Sequence, residues 1–211
     1  MGYALPKASK QDNMKYKLPL TFVAIFVAIT GSAQTRHLMI DPDFSPQVYI
    51  TGTSSLHDWK VTGSGILEVP QELEMTPNHE SGIPNFNFKV PIDSLDGGRG
   101  SSMNNKILTA FNAAENPYIT YQQTAPAQVH QIAGSPDLTI TSTGNLSMAG
   151  VQKTVSVSLQ GKMENGQVIF KGSKPLKITD YAMTPPSAMF GQIKTHDDVV
   201  VHFEFRYRVT P

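Results

Sequence analysis

At the end of this 211-residue chain, Val199, Val201, Phe203, Phe205, Tyr207 and Val209 alternate without a break against Val200, His202, Glu204, Arg206 and Arg208. A period of two places the first set on one face of a strand and the second on the other. At helical period the same residues would spread their apolar groups around the whole cylinder. A strand this long, apolar on one face, needs neighbours on both edges and an apolar layer to look at. The rest of the chain has to supply both.

Strand signals recur at turn spacing through the chain. Gln47–Gly52 has Val48 and Ile50 on one face, and Trp59–Val69 resumes after a polar turn over Thr53–Asp58. Gly63 and Gly65 inside that second run mark a bulge or a close backbone approach. Pro70–Pro84 reads as loop, and Phe86, Phe88 and Val90 share a face before Pro91 ends the ladder. Further strands are expected over Tyr118–Gln123, Gln128–Ile132, Leu138–Met148, Val151–Lys162 and Gln167–Ile178. Hairpin turns are expected at Ala149-Gly150 and Asn165-Gly166, Asn-Gly being the strongest such signal. Met103, Ile107, Ala110 or Phe111, and Ala114 recur at spacings of three and four. They predict one short amphipathic helix, capped by Ser101 or Ser102 and stopped by Asn116-Pro117. About eight strands, hairpin connections and one helix predict an all-β fold, a closed antiparallel barrel, because closure removes the exposed edges. A sandwich is the alternative architecture.

Residues 1–33 read as a secretory signal peptide. Lys10, Lys15 and Lys17 precede an apolar run from Leu18 to Ile29, and Gly31-Ser32-Ala33 supplies the small residues of a cleavage site. The run is short of the roughly 20 apolar residues that span a bilayer. Met14 stands at the usual distance from the apolar run to be the start. The expected mature domain, residues 34–211, is of single-domain size and predicts a periplasmic or secreted location. It has no cysteine, so it relies on its core instead of disulfides. Lysine plus arginine equals aspartate plus glutamate, 17 against 17, without a block of either sign. That balance argues against a nucleic-acid partner, which would call for a basic face.

Polar candidates for chemistry are sparse. His57 stands beside Asp58 and near Ser54 and Ser55, the residue types of a nucleophile, base and orienting carboxylate. Adjacent residues of an extended segment point to opposite sides, which works against such a pairing. Lys106, and after it Lys153 or Lys194, are candidates to meet a phosphate group. His79, His130, His196 and His202 occur singly, without metal-ligand spacing, and no metal or cofactor is expected.

Four separated pieces add a resemblance. They are Ser55-Leu56-His57-Asp58-Trp59, then Met103-Asn104-Asn105-Lys106 leading to Asn116-Pro117-Tyr118-Ile119, then Gly144 to Val155, then Tyr181-Ala182-Met183-Thr184-Pro185-Pro186 with Gly191-Gln192-Ile193-Lys194. In this order they resemble the YceI-like lipid-binding family across most of Asp41–Arg208. The loop Pro70–Pro84 and the Met148-Ala149-Gly150 turn depart from its pattern. The resemblance implies a lipocalin-like antiparallel barrel holding an isoprenoid or other long-chain lipid, in a protein that is not an enzyme and that pairs, in several members, as a homodimer.

On that reading the lumen is lined from the strands by Trp59, Phe86, Phe88, Tyr121, Ile140, Leu146, Val155, Val157, Phe203 and Phe205. Ile107 and Phe111 of the helix, with Met183, Met189 and Phe190, close one end, and His57 and Lys106 meet a polar head. Each buried CH₂ contributes about 0.8 kcal/mol, so burial of a dozen groups supplies micromolar affinity without a charged anchor. Three rival readings stay open at this point. They are a hydrolase built on His57 with a serine, a structural or interaction domain with a filled core, and an outer-membrane barrel with its apolar residues outward.

Overall fold

The computed structural model describes residues 1–2, 36–63, 71–75, 86–131 and 137–210. The chain divides into two units, Met1–Ser32 and Ala33–Pro211. The expected signal peptide lies outside the described residues but for its first two. Among the described residues no helix is long and apolar enough to cross a membrane.

The second unit is a single curled antiparallel sheet. In chain order its strands are β1 (Arg36–Ile40), β2 (Gln47–Ser54), β3 (Asp58–Gly63), β4 (Glu72–Met75), β5 (Phe88–Pro91), β6 (Leu95–Asp96) and β7 (Tyr118–Gln123). They continue as β8 (Gln128–Gln131), β9 (Leu138–Met148), β10 (Val151–Glu164), β11 (Gln167–Lys177), β12 (Ser187–Ala188) and β13 (Ile193–Thr210). The helix α1 is Ser101–Ala110. Hydrogen bonding runs β5-β7-β9-β10-β11-β13-β2-β3-β6, with the short β1, β4, β8 and β12 attached to this path. Its end strands, β5 and β6, are consecutive in the chain and joined only by the helical turn Ile92–Ser94. The barrel is therefore nearly closed, its last gap crossed by three residues of which Ile92 is fully buried.

The terminal strand is the hub, as its alternation predicts. β13 pairs with β11 on one edge and with β2 and β1 on the other. It starts at Ile193, earlier than the alternating stretch indicates. His196-Asp197-Asp198, which reads as a charged turn, falls inside the strand at an irregularity between Thr195 and Val199. A bulge lets a strand keep its direction while breaking its alternation. β9 and β10 pair over their whole facing length, Val151↔Met148 to Gly161↔Leu138. Both hairpin turns carry positive φ at two successive residues, Ala149 and Gly150, Asn165 and Gly166. That is the twist-matched two-residue turn.

Rings lie across glycines of neighbouring strands. Phe203 faces Gly172 and Phe170 faces Gly161 in register. A methyl on Gly161 would stand 2.5 Å from the Phe170 ring, and one on Gly144 would stand 2.7 Å from Tyr121. The missing side chains give large rings somewhere to lie flat against the wall.

Three local expectations need correction. β1 carries no strong alternation and is invisible in the sequence; it forms because the end of β13 needs an edge partner. Within Pro70–Pro84, read as loop, β4 pairs with β1, while 76–84 lie outside the described residues. Of the expected strand Trp59–Val69 the part to Gly63 lies in β3, and 64–69 lie outside the described residues. Helix α1 begins after Gly100, at φ 75, without a serine side-chain cap, and ends at Ala110, capped by Phe111, instead of running to Asn116. Asn112 at positive φ turns the chain away there.

Candidate functional site

Strand alternation fills the inside of the barrel with apolar groups, but the two ends are filled differently. At the end bearing the Asn165-Gly166 turn, the rings interlock: Phe86 meets Phe205 edge-on at 5.7 Å, and Phe170 meets Tyr207 likewise at 5.7 Å. Ile140, Leu159 and Val168 close the gaps between them, each at most 1 % exposed. This half is a solid plug.

The other half is hollow. A cavity of about 340 Å³ lies beneath the end where the β2–β3 turn and the start of β13 meet. Its walls are apolar, with Trp59, Phe88, Tyr121, Leu146, Val157 and Phe203 from the strands, Ile107 from α1 and Phe111 from its C-cap, and Met183 from the segment after β11. Tyr121 lies between the two halves: its ring stacks on Phe88 at 5.0 Å and its hydroxyl hydrogen-bonds Ser142, itself fully buried, at 2.8 Å. Burial pushes the Tyr121 phenol up, against the smaller downward pull of Ser142.

Other residues expected at the lumen stand elsewhere. Phe86, Ile140 and Phe205 share the inward face but belong to the plug. Alternation reports which face a residue takes and says nothing about its height in the barrel. Val155 is half-buried beside the core and off the cavity wall. Met189 and Phe190 are 64 % and 110 % exposed, held outward by a turn in which both have positive φ. They do not close the mouth.

Besides the gap between β5 and β6, the wall parts along a seam between β10 and β11. β10 and β11 pair only between Leu159↔Gly172 and Glu164↔Gln167. Beyond that point β10 stays with β9 and β11 stays with β13 as far as Lys177↔Asp198. Pro175, with no N–H to donate, lies within this stretch of β11 that has left β10. Across this seam the Lys153 ammonium of β10 meets the Asp180 carboxylate at 3.0 Å, in the helical turn Ile178–Tyr181.

Polar groups ring the cavity unevenly. Among the described residues Lys60, Arg99, Lys106, Lys174 and Lys177 line it against a single carboxylate, Asp58, in a chain whose charges balance. Lys177 is satisfied by Asp198 at 2.8 Å, and Lys60 lies over the Tyr49 ring at 4.0 Å. The Arg99 guanidinium donates to His57 Nε2 at 2.5 Å. Lys106 lines the cavity from α1, half-buried. Lys174 escaped the sequence reading, although the pattern contains it: on β11 it shares the face of Val168, Phe170, Gly172 and Leu176. Tyr181 was missed as well, because nothing local marks a short helical turn as part of a wall.

The His57 arrangement cannot act as a base toward serine. A guanidinium only donates hydrogen bonds, so Nε2 accepts and the ring proton sits on Nδ1. Nδ1 faces Ser54 Oγ at 3.4 Å, while the Ser54 hydroxyl donates to the His57 carbonyl at 2.7 Å. The cluster is a turn lock joined to Arg99.

Residues 33–207 match the family model described as a YceI-like domain. Among solved structures, BcnA of Burkholderia cenocepacia superposes with a TM-score of 0.54 at 16 % identity, over 76 % of this chain and 95 % of that one. A polyisoprenoid binding domain from Saccharophagus degradans, implicated in plant cell wall breakdown, superposes with a TM-score of 0.55 at 12 % identity, over 84 % of this chain and all of that one. These likenesses show the fold. No curated protein matches the sequence.

Proposed function

Because the chain belongs to the YceI-like family, we propose that it is a secreted or periplasmic carrier, which holds an isoprenoid or other long apolar chain in the hollow half of its barrel. The observation that carries this reading is the contrast between the two halves. A fold that needed only a core would fill both, since empty apolar space forfeits packing. The similar Saccharophagus domain is described as polyisoprenoid binding, which supports the same ligand class here. The apolar run and small-residue site at the N-terminus support export.

The size of the hollow sets the affinity scale. At roughly 30 Å³ for each water-sized group, about 340 Å³ takes about eleven. At about 0.8 kcal/mol per buried CH₂, eleven groups give about 9 kcal/mol gross. A micromolar complex needs about 8 kcal/mol net, and association costs about 4 kcal/mol or more in lost freedom. Burial alone therefore binds weakly, contrary to what a dozen buried groups promised before the volume was known. Tight binding needs a further contact at the polar end of the guest.

Native mass spectrometry of the exported protein tests the carrier reading. A co-purifying lipid, together with a melting temperature raised by added farnesol, is the expected result. No lipid and no farnesol response would overturn it. A hydrolase reading has no observation in its favour, since His57 is tied to Arg99.

A further inference from the structure

Leu56, Met189 and Phe190 are, among the described residues of the barrel unit, its three most exposed large apolar side chains, at 66 %, 64 % and 110 %. Two neighbouring loop tips carry them. Leu56 is on the turn between β2 and β3. Met189-Phe190 is the tip of the hairpin whose arms pair Ala188↔Ile193 and Ser187↔Lys194. Ser55 ties the two tips together. Its N–H donates to the Lys194 carbonyl at 2.9 Å, and its Oγ accepts from the Lys194 N–H at 3.1 Å and donates to the Gln192 carbonyl at 3.3 Å. The bases of both loops line the hollow, Ser54 and His57 from one, Ser187 and Ile193 from the other. The apolar tips thus stand on the rim of its mouth.

Neither turn chemistry nor packing accounts for a phenylalanine at this tip. Met189 and Phe190 have φ of 49° and 54°, a left-handed backbone that costs a residue with a Cβ and that glycine or asparagine takes more readily. Full exposure leaves the Phe190 ring without contacts to offset that cost. Exposed apolar clusters of this kind mark the meeting place with a protein or a membrane. A stable protein interface takes about 20 residues or more a side, and three side chains on two tips fall well short of that. Insertion into a lipid surface asks only for projecting apolar groups with cations beside them. The cations are present. Lys60 and Arg99 are exposed on the lining of the mouth and Lys194 on the hairpin arm, with Asp58 between them. Nearby carboxylates are already engaged: Asp96 accepts from the Gly98 N–H at 2.9 Å, Asp197 from Thr179 at 2.7 Å, and Asp198 from Lys177 at 2.8 Å.

We propose that the mouth of the barrel docks on an anionic lipid surface, with Phe190, Met189 and Leu56 entering the acyl boundary and Lys194, Lys60 and Arg99 meeting the phosphates of the headgroups. This goes beyond the carrier reading and stands on the rim alone. Combined with that reading, it lets a guest pass between bilayer and hollow without crossing water.

The test is sedimentation of the protein, without any guest, with vesicles of phosphatidylglycerol and phosphatidylcholine in equal parts, against vesicles of phosphatidylcholine alone. Wild type should bind the mixed vesicles more tightly, and raised salt should remove the difference. Phe190→Asn should weaken binding by about tenfold or more, the scale of one buried aromatic side chain. Lys194→Gln should weaken it about fivefold on the mixed vesicles alone. Met39→Gln, which removes an exposed apolar side chain on β1, should change nothing. The free Phe190→Asn protein should melt no lower than wild type, because the ring touches nothing and asparagine suits the turn. A lower melting temperature would make Phe190 structural and overturn the docking site. So would vesicle binding unchanged by Phe190→Asn, equal binding of both vesicle types by wild type, or a wild-type dimer that Phe190→Asn dissolves in analytical ultracentrifugation, which would assign the tips to a second copy of the chain. The farnesol response of the wild type is read separately, so its failure would overturn the carrier reading and leave these outcomes intact.

Discussion

Replacing Val157 by phenylalanine puts the hollow itself to the test. Val157 is 3 % exposed, sits on the central strand β10 and faces the cavity. Phenylalanine adds about four heavy atoms, which at roughly 30 Å³ each occupy about a third of the 340 Å³. A guest then loses about four buried groups, or about 3 kcal/mol at 0.8 kcal/mol each. Since about 1.4 kcal/mol is a factor of ten, affinity for farnesol should fall by about 100-fold. The protein itself should melt no lower than wild type, because the ring enters space that nothing fills. The same exchange at Val168, fully buried in the plug, should instead cost about 1–3 kcal/mol of stability through overpacking. Calorimetric titration with farnesol and a thermal melt of both variants separate these outcomes. If Val157→Phe binds farnesol as wild type does, or if both variants melt lower by the same amount, the division of the barrel into hollow and plug is wrong.

Gly172→Ala should destabilise by about 1–3 kcal/mol, because the new methyl group presses on the Phe203 ring and stands 2.6 Å from the Ser158 carbonyl oxygen, which is backbone and cannot swing away. A calorimetric melt at or above the wild-type temperature would contradict it. Asp41→Ala should cost about 1–3 kcal/mol, read by denaturant titration, since the 4 % exposed carboxylate accepts from the Asp43 N–H at 3.1 Å, Gln167 Nε2 at 3.0 Å and the Arg208 guanidinium at 2.6 Å. Alkaline pH should unfold the protein through its buried phenols. Burial raises Tyr121, Tyr181 and Tyr207 above the usual tyrosine value, so the unfolded chain releases these protons first. Stability is then level below about pH 10 and falls as pH rises beyond it. Phenolate absorbance should lag until the fold is lost, and a melting temperature unchanged across that window would refute the burial. N-terminal sequencing of exported protein should begin at Gln34, and an intact residue 1 would refute the processing site.

Much of the fold was legible because barrels write themselves in alternation and turns. β7 and β9 fall where the strand signals put them, and the Ala149-Gly150 and Asn165-Gly166 turns join the strands expected. What was illegible has a common cause. β1 and β4 are edge partners, and their formation depends on an unfilled ladder elsewhere in the chain. The helix cap failed because Gly100 can take a positive φ that ends the preceding turn without a side-chain acceptor. For the site, the period of two located inward residues such as Leu146 and Phe205 equally, though one faces empty space and the other a packed ring. Height along a strand follows from register with distant strands, which one sequence does not encode locally. Lys174 was readable by counting along β11, and was passed over because a lysine on an apolar face reads as noise until the face is known to line a void.

The seam between β10 and β11 bears on how anything long could get in. A guest threaded end-first through a rigid ring must straighten before it enters, and must reverse that whole path to leave. Here two walls part company halfway up, with one ammonium–carboxylate clasp, Lys153 to Asp180, reaching over the parting. Both clasp partners are about half exposed to water, and such exposed pairs hold by about 1 kcal/mol or less. The barrel is thus weakly fastened along this flank, where one exposed ion pair stands in place of a ladder of backbone hydrogen bonds.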